Sequence, residues 1–341
     1  MKPRRCIKIA LAAALVATAF AAGAASADPV NIRVGYSSMP AHLIPTFYAH
    51  KQALKHYGKS YTVKATRFHG STPQLTALAS GDIDFAALSP TALVLGVLNA
   101  NLDVKVVADV IQDGMPGHYS QTIYVKSKSG IDKPADLKGH IVGINAAGSA
   151  VDMAVRTELA KFGLEPNKDY RELETSFSNM LPMLEDNKID AGPIVQPLAS
   201  QMVKAGKYKV LFSSADAIGP TQFVFLVART DFLKKHHDAA MDFMEDHVRG
   251  FRWISDPANR AEALPIIAKA SVRPLKQMSY LFSDIDYYRD PYLVPNIPNL
   301  QRAIDAAAKL KVVPEDLKAA PKYVDLSFVE EAKKRIEANP K

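Results

Sequence analysis

Most side chains that could do chemistry in this sequence are neutral hydrogen-bonding groups. They lie in loops that follow short apolar runs. Hydroxyl, amide and imidazole groups can hold a ligand, and a glycine among them lets the backbone approach it closely. An alternative for the serines and threonines is that they only cap helices, because a cap uses the same groups. The residues predicted to contact a ligand are Ser37, Ser38, Met39, His42, His69, Gly70, Ser71, Ser89, Thr91, Asn145, Gly148, Ser149, Asn179 and Gln196.

Backbone groups at helix starts offer a second way to hold an anion. Several of these loops open a predicted helix, where free N–H groups and the positive end of the helix dipole favour negative charge. Gly143 to Gly148 has the spacing of a phosphate-binding loop but lacks its lysine, since Ser149 and Ala150 follow. A small carboxylate or sulfonate therefore suits this helix start better than a nucleotide. The selected loops contain no arginine or lysine, so we expect neutral donors and apolar contacts to hold an organic acid with an aromatic body.

The sequence contains no pattern typical of a catalytic or metal site. It has no Gly-x-Ser-x-Gly segment, no His-x-x-x-His pair and no cysteine cluster. We therefore expect no catalysis, no metal and no cofactor. His236, His237 and His247 are assigned to the solvent side of a helix. His42 and His69 fall in the selected loops, where the alternatives are ligand contact, with one of them near the charged group, and loop packing.

A repeated arrangement of apolar segments explains how these loops are positioned. Val34 precedes Ile83 by 49 residues (83 minus 34), and Val142 precedes Ile189 by 47 (189 minus 142). In each copy an apolar segment leads through helical stretches to an Ile-Asp segment. Chance matching of short segments is the alternative, but the shared order and spacing favour two similar α/β lobes. A cleft between two lobes is a common place for a ligand.

Alternation of apolar and amphipathic segments predicts mostly parallel sheets flanked by helices. The predicted strands span residues 31–37, 62–68, 84–88, 104–110, 122–126, 141–144, 171–174, 192–195, 209–212 and 223–228. Segments 112–121 and 218–222 contain Gly and Pro and predict two crossings between the lobes. In such sheets the loops at the carboxyl ends of strands line the ligand crevice, which is where the selected residues lie.

The tail after the second crossing is predicted to return to the first lobe. A helical pattern places Phe243, Val248 and Phe251 on one face, which we assign to the core. Tyr287, Tyr288 and Tyr292 form a patch that either overhangs the cleft or attaches the tail to the first lobe, and the second is our expectation. The resulting division is 28–113 with 222–341 as lobe 1, and 114–221 as lobe 2.

Residues 1–27 have the composition of a secretory signal peptide. Four basic residues precede an apolar run, which ends in the small-residue site Ala25-Ser26-Ala27. The mature chain is therefore expected to begin at Asp28. The single cysteine, Cys6, would leave with the leader, so thiol chemistry is not expected.

The charge balance argues against a nucleic-acid partner. The chain has 42 Lys and Arg against 35 Asp and Glu, and 42 minus the four basic residues of the leader leaves 38, a net charge near +3. A nucleic-acid-binding protein is expected to carry a clustered basic stripe, and the sequence has only short basic pairs. After the leader, no segment is apolar enough to predict a membrane span.

The sequence resembles the periplasmic solute-binding proteins of ABC importers. The resemblance rests on the leader, the doubled lobe pattern, the segment Ile131-Asp132-Lys133-Pro134-Ala135-Asp136-Leu137-Lys138-Gly139-His140-Ile141-Val142-Gly143, and Tyr323-Val324-Asp325-Leu326-Ser327-Phe328. It covers nearly all of the mature chain and is strongest to the nitrate, sulfonate and taurine-type branch, which is similar to the pyrimidine-precursor-binding proteins.

The resemblance implies an α/β, two-lobed, type II-like periplasmic binding fold with two crossing segments and the ligand between the lobes. It also implies ligand contact by the loops after the first and third strands and by the Gly148-Ser149 helix start. We expect a monomeric, periplasmic component of an ABC importer that captures a small organic anion, an aromatic carboxylate or sulfonate, and docks on an inner-membrane permease. The alternatives are an enzyme of pyrimidine-precursor synthesis with the same fold and a ligand-binding sensory protein.

Overall fold

The computed structural model describes residues 28–317 and 322–340. The predicted signal peptide, residues 1–27, lies outside the described residues. Within them the chain forms two five-stranded sheets. The strands are β1 (Val30–Tyr36), β2 (Tyr61–Arg67), β3 (Phe85–Leu88), β4 (Val104–Asp113), β5 (Thr122–Lys126), β6 (Ile141–Ile144), β7 (Arg171–Glu174), β8 (Ala191–Pro193), β9 (Tyr208–Ser213) and β10 (Thr221–Arg229).

Helices flank both sheets, as the alternating apolar and amphipathic segments predict. The helices are α1 (Ile44–Phe47), α2 (Ser71–Ala79), α3 (Pro90–Asn99), α4 (Ala150–Ala160), α5 (Phe177–Glu185), α6 (Leu198–Lys204), α7 (Ser214–Ile218), α8 (Thr230–Lys235), α9 (His237–Ser255), α10 (Arg260–Ser271), α11 (Ile297–Lys309) and α12 (Ser327–Ala338). Over residues 28–317 and 322–340, none of them combines the length and apolar character that crossing a membrane requires.

The first sheet has the strand order β2-β1-β3-β10-β4. Strands β1, β2 and β3 run parallel, with Val34 of β1 opposite Ala65 of β2 and Phe85 of β3. Strand β10 runs antiparallel to both of its neighbours, β3 and β4. The predicted α/β class with two sheets is confirmed. This sheet is mixed because β10, which follows the strands of the second sheet in the sequence, runs antiparallel to its neighbours.

The second sheet repeats this plan with the order β7-β6-β8-β5-β9. Strands β6, β7 and β8 are parallel, and β5 lies antiparallel between β8 and β9. Thus β5 occupies the place that β10 has in the first sheet. The equal plan of the two sheets is the structural counterpart of the repeated sequence pattern.

Two neighbouring stretches carry the chain between the sheets. Strand β4 ends at Asp113 and β5 begins at Thr122, while β10 begins at Thr221, which pairs with Asp113. The Asp113 carboxylate accepts hydrogen bonds from the Ser120 hydroxyl (2.5 Å) and the Gln121 N–H (2.7 Å). These bonds connect the end of β4 to the residues just before β5. The limits of the two lobes, 28–113 with 222–341 and 114–221, remain a prediction.

The core of the first sheet corrects the assignment of His247. The predicted apolar face of α9 is buried as expected, with Phe243 and Val248 both 0% exposed, but His247 is also 0% exposed. Its ring lies 4.9 Å from the Phe47 ring and its Nδ1 atom is 2.8 Å from the Tyr48 hydroxyl. Burial lowers the pKa of His247 to about 3. The expectation that His247 faces solvent is therefore wrong, whereas His237 is exposed as expected.

Candidate ligand-binding site

A cavity of about 90 Å³ lies among the loops of both sheets. A single water needs roughly 10–15 Å³ on this scale, so the cavity has room for a small organic molecule. The lining includes loops that follow β1, β3 and β6, which is the placement expected for the carboxyl ends of strands. Ten of the predicted contact residues line it: Ser37, Ser38, Met39, His42, Gly70, Ser71, Ser89, Asn145, Ser149 and Gln196.

Four predicted contact residues lie outside this lining. His69 and Asn179 are exposed, and Thr91 is buried and lines a smaller pocket of about 20 Å³. Gly148 is the fourth. Ligand contact by any of the fourteen residues remains a prediction.

The helix start at Gly148 is already occupied by a carboxylate of the chain itself. Asp152, fully buried in the first turn of α4, accepts the Gly148 N–H through Oδ2 at 2.7 Å. The preceding N–H, of Ala147, donates to Glu174 at 3.0 Å. The positive end of this helix therefore stabilises internal negative charge, and the Gly148 N–H is not available to a ligand in this arrangement.

The serines of the cavity combine structural and lining roles. Ser89 and Ser149 each accept an N–H from the first turn of the following helix, so both cap helices, and ligand contact by either stays a prediction. The Ser71 hydroxyl accepts the Ser89 N–H at 3.0 Å. Gln74, fully buried, donates to the Ser37 hydroxyl at 3.0 Å. This network fixes the three first-sheet loops relative to one another.

His42 is a neutral hydrogen-bond donor at the cavity wall. Its Nδ1 atom accepts the Ser37 N–H at 3.2 Å, which places the proton of a neutral ring on Nε2. Burial, with a smaller effect of the nearby Arg289 cation, lowers the pKa of His42 to about 3. Near neutral pH the ring therefore presents Nε2–H as a single uncharged donor.

Two arginines that the sequence analysis did not select also line the cavity. They are Arg67, the last residue of β2, and Arg273, which follows α10. The Arg67 Nε–H donates to the Ser37 carbonyl at 3.1 Å. Within the described residues neither arginine forms an ion pair with a carboxylate, and the one carboxylate in the lining, Asp286, is paired with Arg289. The selected loops contain no arginine, as stated above, but these two arginines reach the cavity from outside them, so its donors are not all neutral as expected.

Both arginines lie outside the strand-end loops in which the sequence predicts contact residues. Arg67 falls within the predicted strand 62–68, and its long side chain reaches the cavity from the strand end. Arg273 lies far along the sequence from all of the predicted contact residues. It follows Val272, a β-branched residue with φ of +53° at the end of α10, so the chain turns sharply before Arg273. No sequence signal marked that turn.

Aromatic rings form the apolar part of the wall. The rings belong to Tyr119, Phe177, Phe223, Tyr280 and Tyr287. The Tyr287 hydroxyl donates to Gln121 at 2.6 Å, and its ring stacks on Phe223 with centroids 6.1 Å apart. The predicted tyrosine patch is thus divided between two roles. Tyr287 overhangs the cavity, whereas Tyr292 lies under Arg252 and Lys333 in the tail.

Two hydrogen bonds join Ser89 and the first turn of α2 to the β6–α4 loop beside the cavity. Ser89 Oγ donates to the Gly148 carbonyl at 3.2 Å, and Thr72 Oγ1 donates to the Ala147 carbonyl at 2.9 Å. The two sheets therefore approach each other closely at this edge, and the cavity is partly enclosed. Among the described residues no group of three or more His, Cys, Asp or Glu side chains is arranged to hold a metal ion.

Comparison with known proteins gives a family match over most of the chain. The NMT1-like family matches residues 25–268. A curated protein of Escherichia coli (strain K12), whose name describes it as an aliphatic sulfonates-binding protein, is 26% identical over 231 residues, covering 66% of this chain and 67% of that protein.

Solved structures share the fold over nearly the whole described chain. The alkanesulfonate-binding protein of Xanthomonas axonopodis pv. citri, bound to MOPS, superposes with a TM-score of 0.66 at 20% identity, covering 87% of this chain and 98% of that one. The periplasmic nitrate-binding protein of Synechocystis PCC 6803 has a TM-score of 0.70 at 16% identity, covering 92% and 90%.

The same fold also occurs in an enzyme. The desulfurization enzyme DSZB has a TM-score of 0.62 at 13% identity, covering 90% of this chain and 99% of that one. At these identities the structural likeness shows the fold alone, and function has to be argued from the site.

Proposed function

Because the chain belongs to the NMT1-like family, we propose that it is the solute-binding component of an ABC importer. The resemblance to the sulfonate- and nitrate-binding branch of these proteins is confirmed by the family match and by homology to an aliphatic sulfonates-binding protein. The proposal extends to a periplasmic location and an inner-membrane permease as partner. It is supported by the proposed leader and by the periplasmic nitrate-binding protein that shares the fold.

We propose a small organic anion with an aromatic or otherwise apolar body as the ligand. The observation that carries this proposal is the charge of the cavity: Arg67 and Arg273 are unpaired within the described residues, and Asp286 is neutralised by Arg289. An unpaired guanidinium in a partly enclosed site favours a carboxylate or sulfonate, because both offer two oxygens to its donors. The aromatic rings favour an apolar body on the same molecule.

The energy of binding is then shared among several contacts. Micromolar affinity requires about 8 kcal/mol, and a hydrogen bond to a charged group contributes roughly 1.5–3 kcal/mol. Two arginines supply part of that amount. Neutral donors such as Ser38 and the His42 Nε2–H, with burial of the ligand body against Phe177 and Phe223, supply the rest.

Ligand binding would favour the closed arrangement of the two sheets. A ligand shifts a conformational equilibrium only by binding one state better than the other. The bonds from Ser89 and Thr72 to the β6–α4 loop are neutral, and each contributes about 0.5–1.5 kcal/mol. A ligand that touches first-sheet residues and Asn145 or Gln196 at once adds to these weak bonds, which is how closure would report occupancy to a permease.

A melting experiment tests the proposed ligand class. The mature chain is heated with benzoate, benzenesulfonate, MOPS or nitrate at millimolar concentration, with benzamide as the uncharged match for benzoate. A ligand at about 100 times its Kd stabilises by about 2.7 kcal/mol, which raises the melting temperature by several degrees. Stabilisation by an organic acid, and not by benzamide or by nitrate alone, supports the proposal. Equal shifts for both, or no shift with any acid, would contradict it.

A second candidate function is an enzyme, because the desulfurization enzyme DSZB shares the fold. The observation that favours it is a neutral imidazole, His42, at the wall of the cavity. Incubating the purified protein with aromatic sulfinates and sulfonates and following the products by mass spectrometry separates the two candidates. Product formed in proportion to protein, and absent with His42→Gln, would favour the enzyme.

A further inference from the structure

The side chain of Arg289 is buried behind the cavity loop that follows β1. Only 3% of the Arg289 side chain is exposed, and its Nη2 atom donates to the Ala41 carbonyl at 2.9 Å. Its Nη1 atom donates to the Asp286 carboxylate at 2.9 Å. The guanidinium thus bridges two segments that are 248 positions apart.

Asp286, the partner of Arg289, is itself held in place by further hydrogen bonds. Its carboxylate also accepts the Phe282 and Tyr287 N–H groups, at 2.9 and 2.8 Å. Its carbonyl accepts the Tyr119 N–H at 3.0 Å, which joins the segment to the crossing before β5. A carboxylate with this many bonds has little freedom to move, so Arg289 is held in one orientation.

The β1–α1 loop, to which Arg289 donates its hydrogen bond, is folded around His42. The His42 N–H donates to the Ser38 carbonyl at 2.7 Å, and the Ser37 N–H donates to His42 Nδ1 at 3.2 Å. The Ala41 carbonyl lies directly before His42, so a bond to it fixes the backbone on which the ring is mounted.

We propose that Arg289 is a positioning residue of the ligand cavity, which fixes the β1–α1 loop so that His42 presents Nε2–H to an acceptor atom of the ligand. This inference rests on the proposed function, because it assigns a donor role within the same cavity. It makes His42 a donor of one uncharged hydrogen bond and excludes it as the counter-ion of the bound anion.

The charges around His42 agree with this role. Burial has the larger effect on its pKa, and the Arg289 cation lowers it further. Asp286 lies on the same segment, but its negative charge is balanced by the paired Arg289. Asp286 therefore does not favour a protonated His42. On the first-sheet side, the charged group bonded to the Ser37 backbone is another cation, Arg67. An imidazolium at this place would therefore meet repulsion rather than a partner.

The test measures His42 and Ser37 directly, without any ligand. Nitrogen-15 NMR of the histidine rings, with His42 identified by its loss in His42→Gln, follows tautomer and titration, and amide hydrogen exchange follows the Ser37 N–H. In the wild type we expect the Nε2–H form with no titration between pH 7.5 and 5. In Arg289→Met we expect release of the loop to open the His42 ring to water, so that its titration enters this pH range, and Ser37 exchange to quicken at least tenfold.

Three further variants make the result specific. Arg289→Met with Asp286→Asn removes both charges, which covers the case in which an unpaired buried carboxylate prevents folding. Arg289→Lys keeps the cation and is expected to restore most of the wild-type titration. Arg260→Met is the matched control, because Arg260 donates to the carbonyls of Leu281 and Ser279 in the same part of the tail without a bond to the β1–α1 loop.

A folded Arg289 variant with an unchanged His42 titration or an unchanged Ser37 exchange rate would overturn the proposal. Equal changes in Arg260→Met would also overturn it, since they would show general loosening of the tail. Because no ligand takes part, failure of the acids in the melting experiment leaves this result untouched, and the two proposals fail independently.

Discussion

The Oδ2 atom of Asp152 accepts the backbone N–H of Gly148 at 2.7 Å, at the start of helix α4. Asp152 is also paired with Arg156, which bonds Glu172 on β7 through Nη2 at 2.6 Å. Burial, reinforced by the Glu172 charge, raises the pKa of Asp152 above its ordinary value. An internal carboxylate thus takes the position that a bound anion occupies at other helix starts, and it ties this loop to the second sheet.

Two replacements of Asp152 distinguish the contribution of its hydrogen bonds to stability from that of its charge. Asp152→Asn keeps an acceptor for the Gly148 N–H and leaves Arg156 paired with Glu172, so we expect a loss of less than about 1 kcal/mol. Asp152→Ala leaves a donor without its partner and is expected to lose about 1–3 kcal/mol. Urea unfolding of the three proteins checks this order. Equal stability of Asp152→Ala and the wild type would show that the carboxylate does not hold the loop.

The pH dependence of stability should report Asp113 at the crossing. Burial raises its pKa from 3.8 to about 6, so the folded state binds the proton more tightly than the unfolded state does. The stabilisation is therefore fully present below about pH 4 and is lost as the pH rises through 6. The difference, 6 minus 3.8, corresponds to at most about 3 kcal/mol. Asp113→Asn should remove this part of the slope.

Urea unfolding at several pH values between 4 and 7 measures that slope. Asp109, also buried with a pKa raised to about 6, contributes a slope of the same sign that Asp113→Asn leaves in place. We therefore expect the variant to retain part of the decline. An unchanged slope in Asp113→Asn would contradict the assignment.

Backbone strain at Val272 can be relieved without touching the cavity. Val272 has φ of +53° and is 91% exposed, a conformation that a β-branched residue rarely adopts. Glycine is the usual residue at such a helix end. We expect Val272→Gly to raise stability by about 0.5–1 kcal/mol, the strain relieved exceeding the greater flexibility of the unfolded chain. A lower melting temperature for Val272→Gly would show that the valine side chain contributes a contact.

The sheets could be predicted because their signals are local. Each of the ten predicted strands overlaps an observed one, from β1 (Val30–Tyr36) to β10 (Thr221–Arg229), since apolar runs bounded by Gly, Pro and polar residues mark buried strands. The loops chosen at the strand ends also supply ten of the cavity-lining residues. Topology alone brings these loops together once the strands are known.

The errors arose where position depends on distant packing. His247 lies four residues after Phe243 and four before Phe251, so the helical period placed it on the buried face. The polarity of its ring predicts a place in solvent, but the Tyr48 hydroxyl supplies a buried partner from another helix end. Arg273 reaches the cavity only through the turn at Val272 and the packing of the tail, which short-range sequence patterns do not describe.

The decisive measurement is calorimetric titration of the wild type, Arg67→Gln with Arg273→Gln, and Arg171→Gln with the acid that stabilises most. Arg171 is an exposed arginine at the start of β7, outside the cavity lining, and serves as the control. We predict one binding site per chain and wild-type affinity in Arg171→Gln. For the double variant we predict an affinity at least about a hundredfold weaker, since each lost charged bond contributes roughly 1.5–3 kcal/mol. Unchanged affinity in the double variant would contradict recognition of an anion in this cavity.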